Sequence, residues 1–378
     1  MSFEHYIRSG AKLLRCGYTT GTCTALAASG AAELLLGGGR PETLRVVTPK
    51  GWPVEVEPEY CRGEGGTAVC AVRKDAGDDP DVTDGMLILA RVSRAREGIR
   101  IDGGEGVGRV TKPGLDQPVG AAAINTVPRR MIREAVEAVC EAHGYEGGLT
   151  VVISVPDGEE RARKTFNPQL GIEGGVSILG SSGVVEPMSE HALVETTALE
   201  IRQARETGDG RLILLPGNYG MDYLTGHLPE LGAVPRARCS NYIGEAVDCA
   251  RLEGIRELLL IGHIGKLVKL AGGIMNTHSR VADCRRELFC AHAALCGADA
   301  ATCRALMDEV SSDGCLAVLK RAGLKDAVME SLLRAVQTAL SRRADGMRIG
   351  ALLFSQTEGL LGLTEEAETM LAEWRAKA

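Results

Sequence analysis

Aromatic side chains are scarce in this chain, 3% of 378 residues, whereas 44% of positions are hydrophobic and 48 are glycine. A core poor in aromatics must rest mainly on Val, Leu, Ile and Ala, and so many glycines fit tight turns around sheets. No apolar run approaches the roughly 20 residues of a membrane helix, and the opening MSFEHYIRSG lacks the apolar segment of a secretory signal. A cytoplasmic protein without a membrane partner is expected. Excess positive charge is missing as well. The formal charge of −7 argues against nucleic acid as a partner, because non-specific binding needs a basic surface or stripe. The 12 cysteines contain no C-x-x-C pair, so reduced thiols are expected rather than a disulfide framework.

What is present points to two domains, on a prior of about 150 residues for each. In the first half, strand-like runs at 43–48, 67–72 and 87–92 alternate with turn residues and two helices, an α+β pattern. The first helix is expected over 22–36, opened by the hydroxyls of Thr19, Thr20 and Thr22 and ended by the glycines at 37–39. The second is expected to open at Pro128 and to place Met131, Ile132, Ala135, Val136 and Val139 on one face. Runs at 151–155 and 176–179 read as further strands, the latter entering a Gly-Ser-Ser-Gly turn at 180–183. From about Ser189 long helices alternate with short apolar strands at 212–215, 258–261 and 349–354. That texture reads as an α/β domain with a mostly parallel sheet flanked by helices. The domains are set at 1–190 and 191–378.

The most informative segment is 258–280, LLLIGHIGKLVKLAGGIMNTHSR, a short apolar strand running into glycines that flank His263, Lys266 and Lys269. Gly262 and Gly265 are expected to turn the backbone sharply, and ligands of open α/β sheets bind outside the carboxyl ends of the strands. The PGNYG loop at 216–220 and the SQTEG loop at 355–359 occupy equivalent positions. GHIGK is not a Walker A loop, because two residues rather than four separate its glycines and Leu267 follows the lysine. Beyond it, Asn276, His278 and Arg280 suit carboxylates, the arginine by a bidentate fork. The same stretch also reads as a capped loop, with Thr277 or Ser279 starting the helix that holds Cys284, Cys290 and Cys296. His292 and Cys296 are spaced i, i+4, but with no second matched pair they read as a surface histidine and a core thiol.

Three motifs in the first half carry polar residues on glycine-rich backbone. KDAGDDPDVTDG, at 74–85, misses the calcium-loop spacing and reads as a solvated acidic turn, or as one or two carboxylates facing a cationic ligand or acting as a base. GGEGVGRVTKPG, at 103–114, spaces its glycines too closely for a dinucleotide fingerprint and reads as a tight hairpin. With Arg109, Lys112, Arg129 and Arg130 nearby, it also suits an anion. GYTTGT, at 17–22, aims amides and hydroxyls at a helix start, either as a cap or as an anion site.

Taken together in order, LRCGYTTGTC (14–23), KDAGDDPDVTDG, GGEGVGRVTKPGL (103–115), KTFNPQLGIEGGVSILGSSGVVEPMS (164–189), LPGNYG (215–220) and GHIGKLVKLAGGIMNTHSRVAD (262–283) resemble the cobalt-precorrin-5B C1-methyltransferases of anaerobic cobalamin synthesis. Cys16 and Asp84 depart from the family's pattern, which weakens any role for those two side chains. The resemblance implies methyl transfer from S-adenosyl-L-methionine to ring carbon C1 of a corrin precursor, with cobalt present only as part of the substrate and no protein metal site. It also implies an α+β domain followed by an α/β domain, unlike the usual Rossmann-type methyltransferases.

The macrocycle carries many carboxylates, so the resemblance draws its binding residues from Arg109, Lys112, Arg129, Lys266, Lys269, Asn276 and Arg280, with the hydroxyls of Thr19, Thr20 and Thr22. The sulfonium donor prefers carboxylates or aromatic faces, such as Asp75, Asp78, Tyr219 or Tyr242. Its binding set is completed by Gly180, Ser181, Gly217, Asn218 and Gly262. Any base that drains a proton from the ring is sought first in His263 and His278, then in Asp78 and Asp79. The reading leaves room for a homo-oligomer or transient contact with neighbouring pathway enzymes. Two other classes remain open at this point, a non-catalytic corrinoid carrier and a different nucleotide-dependent transferase.

Overall fold

The apolar runs of the sequence become two five-stranded sheets, one in each of the units, Met1–Ser189 and Glu190–Ala378, into which the chain divides. The computed structural model describes residues 3–9, 12–165, 167–168 and 170–376.

In the first unit, α1 (Thr20–Gly37) precedes strands β1 (Tyr60–Glu64), β2 (Thr67–Arg73), β3 (Leu87–Ala95) and β4 (Ile99–Gly103), followed by α2 (Thr126–Ala142) and β5 (Gly148–Ser154). The sheet order is β1-β2-β3-β5-β4, antiparallel except where β5 runs beside β4. Alternate residues Ile88, Ala90 and Val92 of β3, and Leu149, Val151 and Ile153 of β5, are buried, as the period of two in a one-sided sheet requires. α1 packs on β2, β3 and α2. It runs from two residues before the expected start, with Thr19 as N-cap and Gly38, at φ 73°, closing it. α2 likewise opens at Thr126 rather than Pro128, and the expected face is inward, with Met131, Ile132 and Val136 buried.

Three sequence readings are corrected here. Residues 176–179 form no strand but two single bridges, Val107 to Val176 and Ile124 to Ile178. Val176 and Ile178 are buried while Ser177 and Leu179 are not, so the alternation imitates a strand. The 103–114 segment is not a hairpin, since Arg109–Val110 pairs with Ile172–Glu173. Gly106, at φ 70°, lies so close to the next segment that a Cβ there would meet the Val155 carbonyl oxygen at 1.8 Å. Finally, Cys61 and Cys70 face each other across β1 and β2 and are joined as a disulfide, leaving ten free cysteines.

The second unit runs α3 (Glu190–Thr207), β6 (Arg211–Leu215), α4 (Asn218–His227), β7 (Arg236–Arg238), α5 (Ile243–Leu252), β8 (Glu257–His263), α6 (Ile264–Leu267), α7 (Arg285–Leu295), α8 (Ala300–Asp308), α9 (Ser312–Arg321), α10 (Lys325–Ala344), β9 (Arg348–Ser355), β10 (Gly359–Leu363) and α11 (Glu365–Ala376). The order is β7-β6-β8-β9-β10, with four parallel strands and an antiparallel edge at β10. Both faces are covered. Leu212, Leu214, Leu258 and Leu260 enter one core, and Ile213, Leu215, Leu259 and Ile261 enter the other, where Trp374 is fully buried and donates to Glu257. Strands buried on both sides read as continuous apolar runs, which is why these were conspicuous in the sequence.

From β6 the chain turns outward to β7, then crosses back to β8 and continues to β9 on the other side. The carboxyl ends of β6 and β8 therefore flank a crevice from which the connections diverge. No described helix is long and apolar enough to cross a membrane.

A candidate active site at the sheet switch point

Gly262 does not turn the chain as expected; it lies within β8, and Gly265 lies within α6. The turn is made by His263, the N-cap of α6, whose Nδ1 accepts the Gly265 amide at 3.1 Å. Across the crevice, Gly217 adopts φ 101° between β6 and α4, a conformation that strongly favours glycine. The Lys266 ammonium lies against it, 3.4 Å from where a Cβ on Gly217 would stand.

Between these loops is a pocket of about 550 Å³ lined by Pro216, Gly217, Asn218, Tyr219, His263, Gly265, Lys266, Arg285, Ser311, Ser312 and Asp313. The Tyr219 ring is 56% exposed and tilted toward the His263 ring at 6.1 Å, and Phe354 meets the same imidazole edge-on at 5.8 Å. Lys266 donates to the Ser240 carbonyl at 3.1 Å, and burial pushes its ammonium below the ordinary lysine value. Arg285 forks onto Asp283, and the Asp313 carboxylate accepts from Ser355 at 2.5 Å and Thr357 at 3.1 Å. The pocket therefore offers an ammonium, a carboxylate and an aromatic face within one cavity, alongside the N-termini of α4 and α9.

The imidazole hydrogen bonds bear on the expectation of a base. With Nδ1 accepting the Gly265 amide, neutral His263 carries its proton on Nε2 and presents a donor, with no free lone pair to take a proton. Burial, opposed weakly by Asp313, holds its pKa below the ordinary histidine value, so the ring is neutral at neutral pH. His278 is bonded in the same way, its Nδ1 accepting the Arg280 amide at 3.1 Å. Both histidines are thus placed to donate.

The other expected residues of the second unit do not line the pocket. Lys269 is 2% exposed and its ammonium donates to the carbonyls of Thr277 and Ala282. These bonds draw 277–282 into a loop, so no helix starts at Thr277 or Ser279; α7 begins at Arg285, after Cys284 at φ 49°. Asn276 accepts the His278 amide at 3.1 Å, Arg280 is exposed, and His292 bonds Ser331 at 2.8 Å.

In the first unit the polar motifs bind one another. Thr19 caps α1, Thr20 donates to the Leu179 carbonyl and accepts its amide, and Thr22 donates to Gly183 at 2.6 Å; all three are buried. Gly180 packs against Thr19, while Ser181 is exposed. Asp75 forks onto Arg15, Asp78 accepts the Arg15 amide, Asp79 accepts the Met188 amide and Asp84 that of Ala76. Lys74, 3% exposed, pairs with Asp81 at 2.7 Å. Arg109 pairs with Asp102, the guanidinium of Arg129 donates to the carbonyls of Ile101, Ala122 and Ile124, and the stem of exposed Lys112 packs on Gly171.

Arg285, Ser311, Ser312 and Asp313 were not anticipated. The local signal was the serine pair before an apolar run, a helix-start signature that locates a cap but not a pocket.

A family model described as CbiD matches residues 7–187, and one described as CbiD, C-terminal domain, matches residues 276–365. A relative from Ruminiclostridium cellulolyticum named cobalt-precorrin-5B C(1)-methyltransferase is 48% identical, over 93% of this chain and 92% of its own. Relatives of the same name from Alkaliphilus metalliredigens and Treponema denticola are 40% and 41% identical, covering 97% and 96% of this chain and 97% and 100% of theirs. A crystal structure described as cobalamin biosynthesis protein (cbiD) from Archaeoglobus fulgidus is 34% identical, with a TM-score of 0.40, over 75% of this chain and 87% of that one. With such identity sustained along nearly the whole length of its relatives, the chain belongs to the CbiD family.

Proposed function

We propose that this chain methylates ring carbon C1 of cobalt-precorrin-5B with S-adenosylmethionine as donor, giving cobalt-precorrin-6A and S-adenosylhomocysteine. The observation that carries the reading is 48% identity, across more than nine-tenths of both chains, to a relative bearing that activity in its name. Cobalt enters inside the macrocycle as part of the substrate.

The switch-point pocket fits the donor. Its volume of about 550 Å³ falls within the roughly 300–1,000 Å³ typical of small-molecule sites. Gly217, Asn218 and Tyr219 form one wall, and the exposed Tyr219 ring offers a face to the sulfonium. Bound there, the donor supplies an electrophilic methyl group: an electron pair of the macrocycle forms the new bond at C1, and the carbon–sulfur pair returns to sulfur. The chain's contribution is positioning and exclusion of water, which accounts for a large part of the barrier in such transfers. His263 orients a ligand atom through its Nε2 proton, held in that tautomer by Gly265. Loss of the proton from the ring system falls to the macrocycle and solvent rather than to either histidine.

The test is anaerobic incubation with cobalt-precorrin-5B and methyl-labelled donor, followed by mass spectrometry. Label at C1 with release of S-adenosylhomocysteine is expected. Tight macrocycle binding without label transfer overturns the reading.

A further inference from the structure

Among the described residues two buried side-chain atoms lack a hydrogen-bond partner, Gln337 Oε1 and Ser312 Oγ. The second belongs to Ser312, a residue that is only 3% exposed and lines the switch-point pocket. A buried hydroxyl without a partner is destabilising, so a fold that keeps one in a pocket wall presents it to what enters.

Its neighbours state what that is. Ser312 opens α9, a helix of 10 residues whose N-terminus favours negative charge, and Ser311 caps its Gly314 amide at 3.0 Å. Opposite, Ser312 Oγ stands 3.4 Å from the Cβ position of Gly265, the residue preceding Lys266. The Lys266 ammonium gives one bond to Ser240 and has two further donors. The next residue along α9, Asp313, is a carboxylate fixed by Ser355 and Thr357. The Glu309 carboxylate also lies at this turn, beside the Cβ position of Gly314, and lines a smaller cavity together with Ser311, whereas Ser312 and Asp313 line the larger pocket. An anion-binding group and a cation-binding group on consecutive residues match the two charges of an α-amino acid.

We propose that Ser312 and the first turn of α9, with Lys266, bind the α-carboxylate of the donor's amino-acid end, while Asp313 receives its α-ammonium. The assignment rests on the donor reading of this pocket. It orients the donor with its amino-acid end at α9 and its sulfonium toward Tyr219.

Calorimetric titration separates the two ideas, using S-adenosylhomocysteine and 5′-methylthioadenosine, which keeps the thioether and nucleoside but lacks the amino acid. Ser312→Ala is expected to weaken S-adenosylhomocysteine by about tenfold or more, the effect of losing a hydrogen bond to a charged group, and to leave methylthioadenosine unchanged. Its melting temperature should stay level or rise, because an unpartnered hydroxyl is removed. A merely structural role would move stability without this ligand selectivity. Equal weakening of both ligands, or of neither, overturns the carboxylate assignment, as does weakening confined to the macrocycle. Gly217→Val serves as the control on the pocket itself. If it weakens S-adenosylhomocysteine while Ser312→Ala does not, the donor reading stands and the subsite falls. If it affects neither ligand, the donor is elsewhere and both fall.

Discussion

The chain has two glycine-rich polar regions that look alike on paper: the Thr19, Asp75 and Gly180 motifs of the first unit, and the His263, Gly217 and Asn218 loops of the second. In the first, hydroxyls and carboxylates bond to the chain itself. Thr22 to Gly183, Asp79 to Met188 and Arg15 to Asp75 tie segments far apart in sequence, Lys74 to Asp81 closes the acidic turn on itself, and the three threonines and Lys74 are buried. In the second, Tyr219 is exposed, Ser312 lacks a partner, and Lys266 makes a single carbonyl contact beside Gly217. Polar residues on a flexible backbone serve as internal ties in one place and as a binding wall in the other. What separates them is whether each donor and acceptor already has a partner.

Four experiments press on that contrast, setting stability to unfolding against ligand affinity or activity. The largest effect is expected at Gly217→Val. A branched residue at φ 101° beside the Lys266 ammonium displaces the loop, and kcat/KM should fall by about 100-fold or more, the scale of a misplaced reactant. Its unfolding midpoint should fall by an amount equivalent to about 1–3 kcal/mol, the strain of a branched residue in a backbone region reserved for glycine. A large loss of stability with affinity intact would reverse the roles assigned to the two regions.

Next is Lys74→Met, which leaves Asp81 without its cation and should cost roughly 3 kcal/mol while sparing ligand affinity. Its pH signature follows from the carboxylates. Burial pushes Asp81 up, but the Lys74 ammonium and the Thr83 hydrogen bonds outweigh it, and the Arg15 guanidinium holds Asp75 down; both lie below the ordinary range. Their stabilisation is complete above the unfolded value of about 3.9 and is lost as pH falls through the folded values. Denaturant midpoints should drop on acidification in the parent chain, and part of that drop should vanish in Lys74→Met.

A smaller loss, about 1 kcal/mol, is expected for Thr22→Val, which removes one of two hydrogen bonds to the buried Gly183 carbonyl and leaves that from the Thr19 amide. S-adenosylhomocysteine affinity should be unaltered; a matching loss of affinity would make the α1 start part of a binding site. Last, His263→Asn keeps an N–H donor and should retain activity within about tenfold, whereas loss of a true general base costs roughly 10²–10⁴. Because burial depresses its pKa, His263 in the parent is neutral at and above neutral pH. Protonation puts a proton on Nδ1 facing the Gly265 amide, so kcat/KM should decline as pH falls through that lowered value. The decline should be absent in His263→Asn.

Legibility from sequence follows the same division. The strands at 212–215, 258–261 and 349–354 were readable because double-sided burial demands unbroken apolar runs, and the PGNYG and GHIGK loops followed as strand ends. Val176 and Ile178 misled, since burial in alternate single bridges leaves the same trace as a ladder. The helix expected at Thr277 or Ser279 failed because the buried Lys269 ammonium takes carbonyls from that stretch, a long-reach bond that capping propensity does not register. Four of the eleven residues of the pocket wall were silent. Ser312 and Asp313 come from a helix start distant in sequence, and only the parallel sheet brings them to His263 and Tyr219.

The strand order has a consequence during synthesis. β8 is flanked by β6, which precedes it, and by β9, which begins only at Arg348. Until the ribosome has made nearly the whole chain, one hydrogen-bonding edge of the apolar strand Glu257–His263 has no neighbour, a slow, long-range closure that exposes a template for aggregation. A chain cut before residue 348 should therefore be found in the insoluble fraction, despite retaining every residue that lines the pocket.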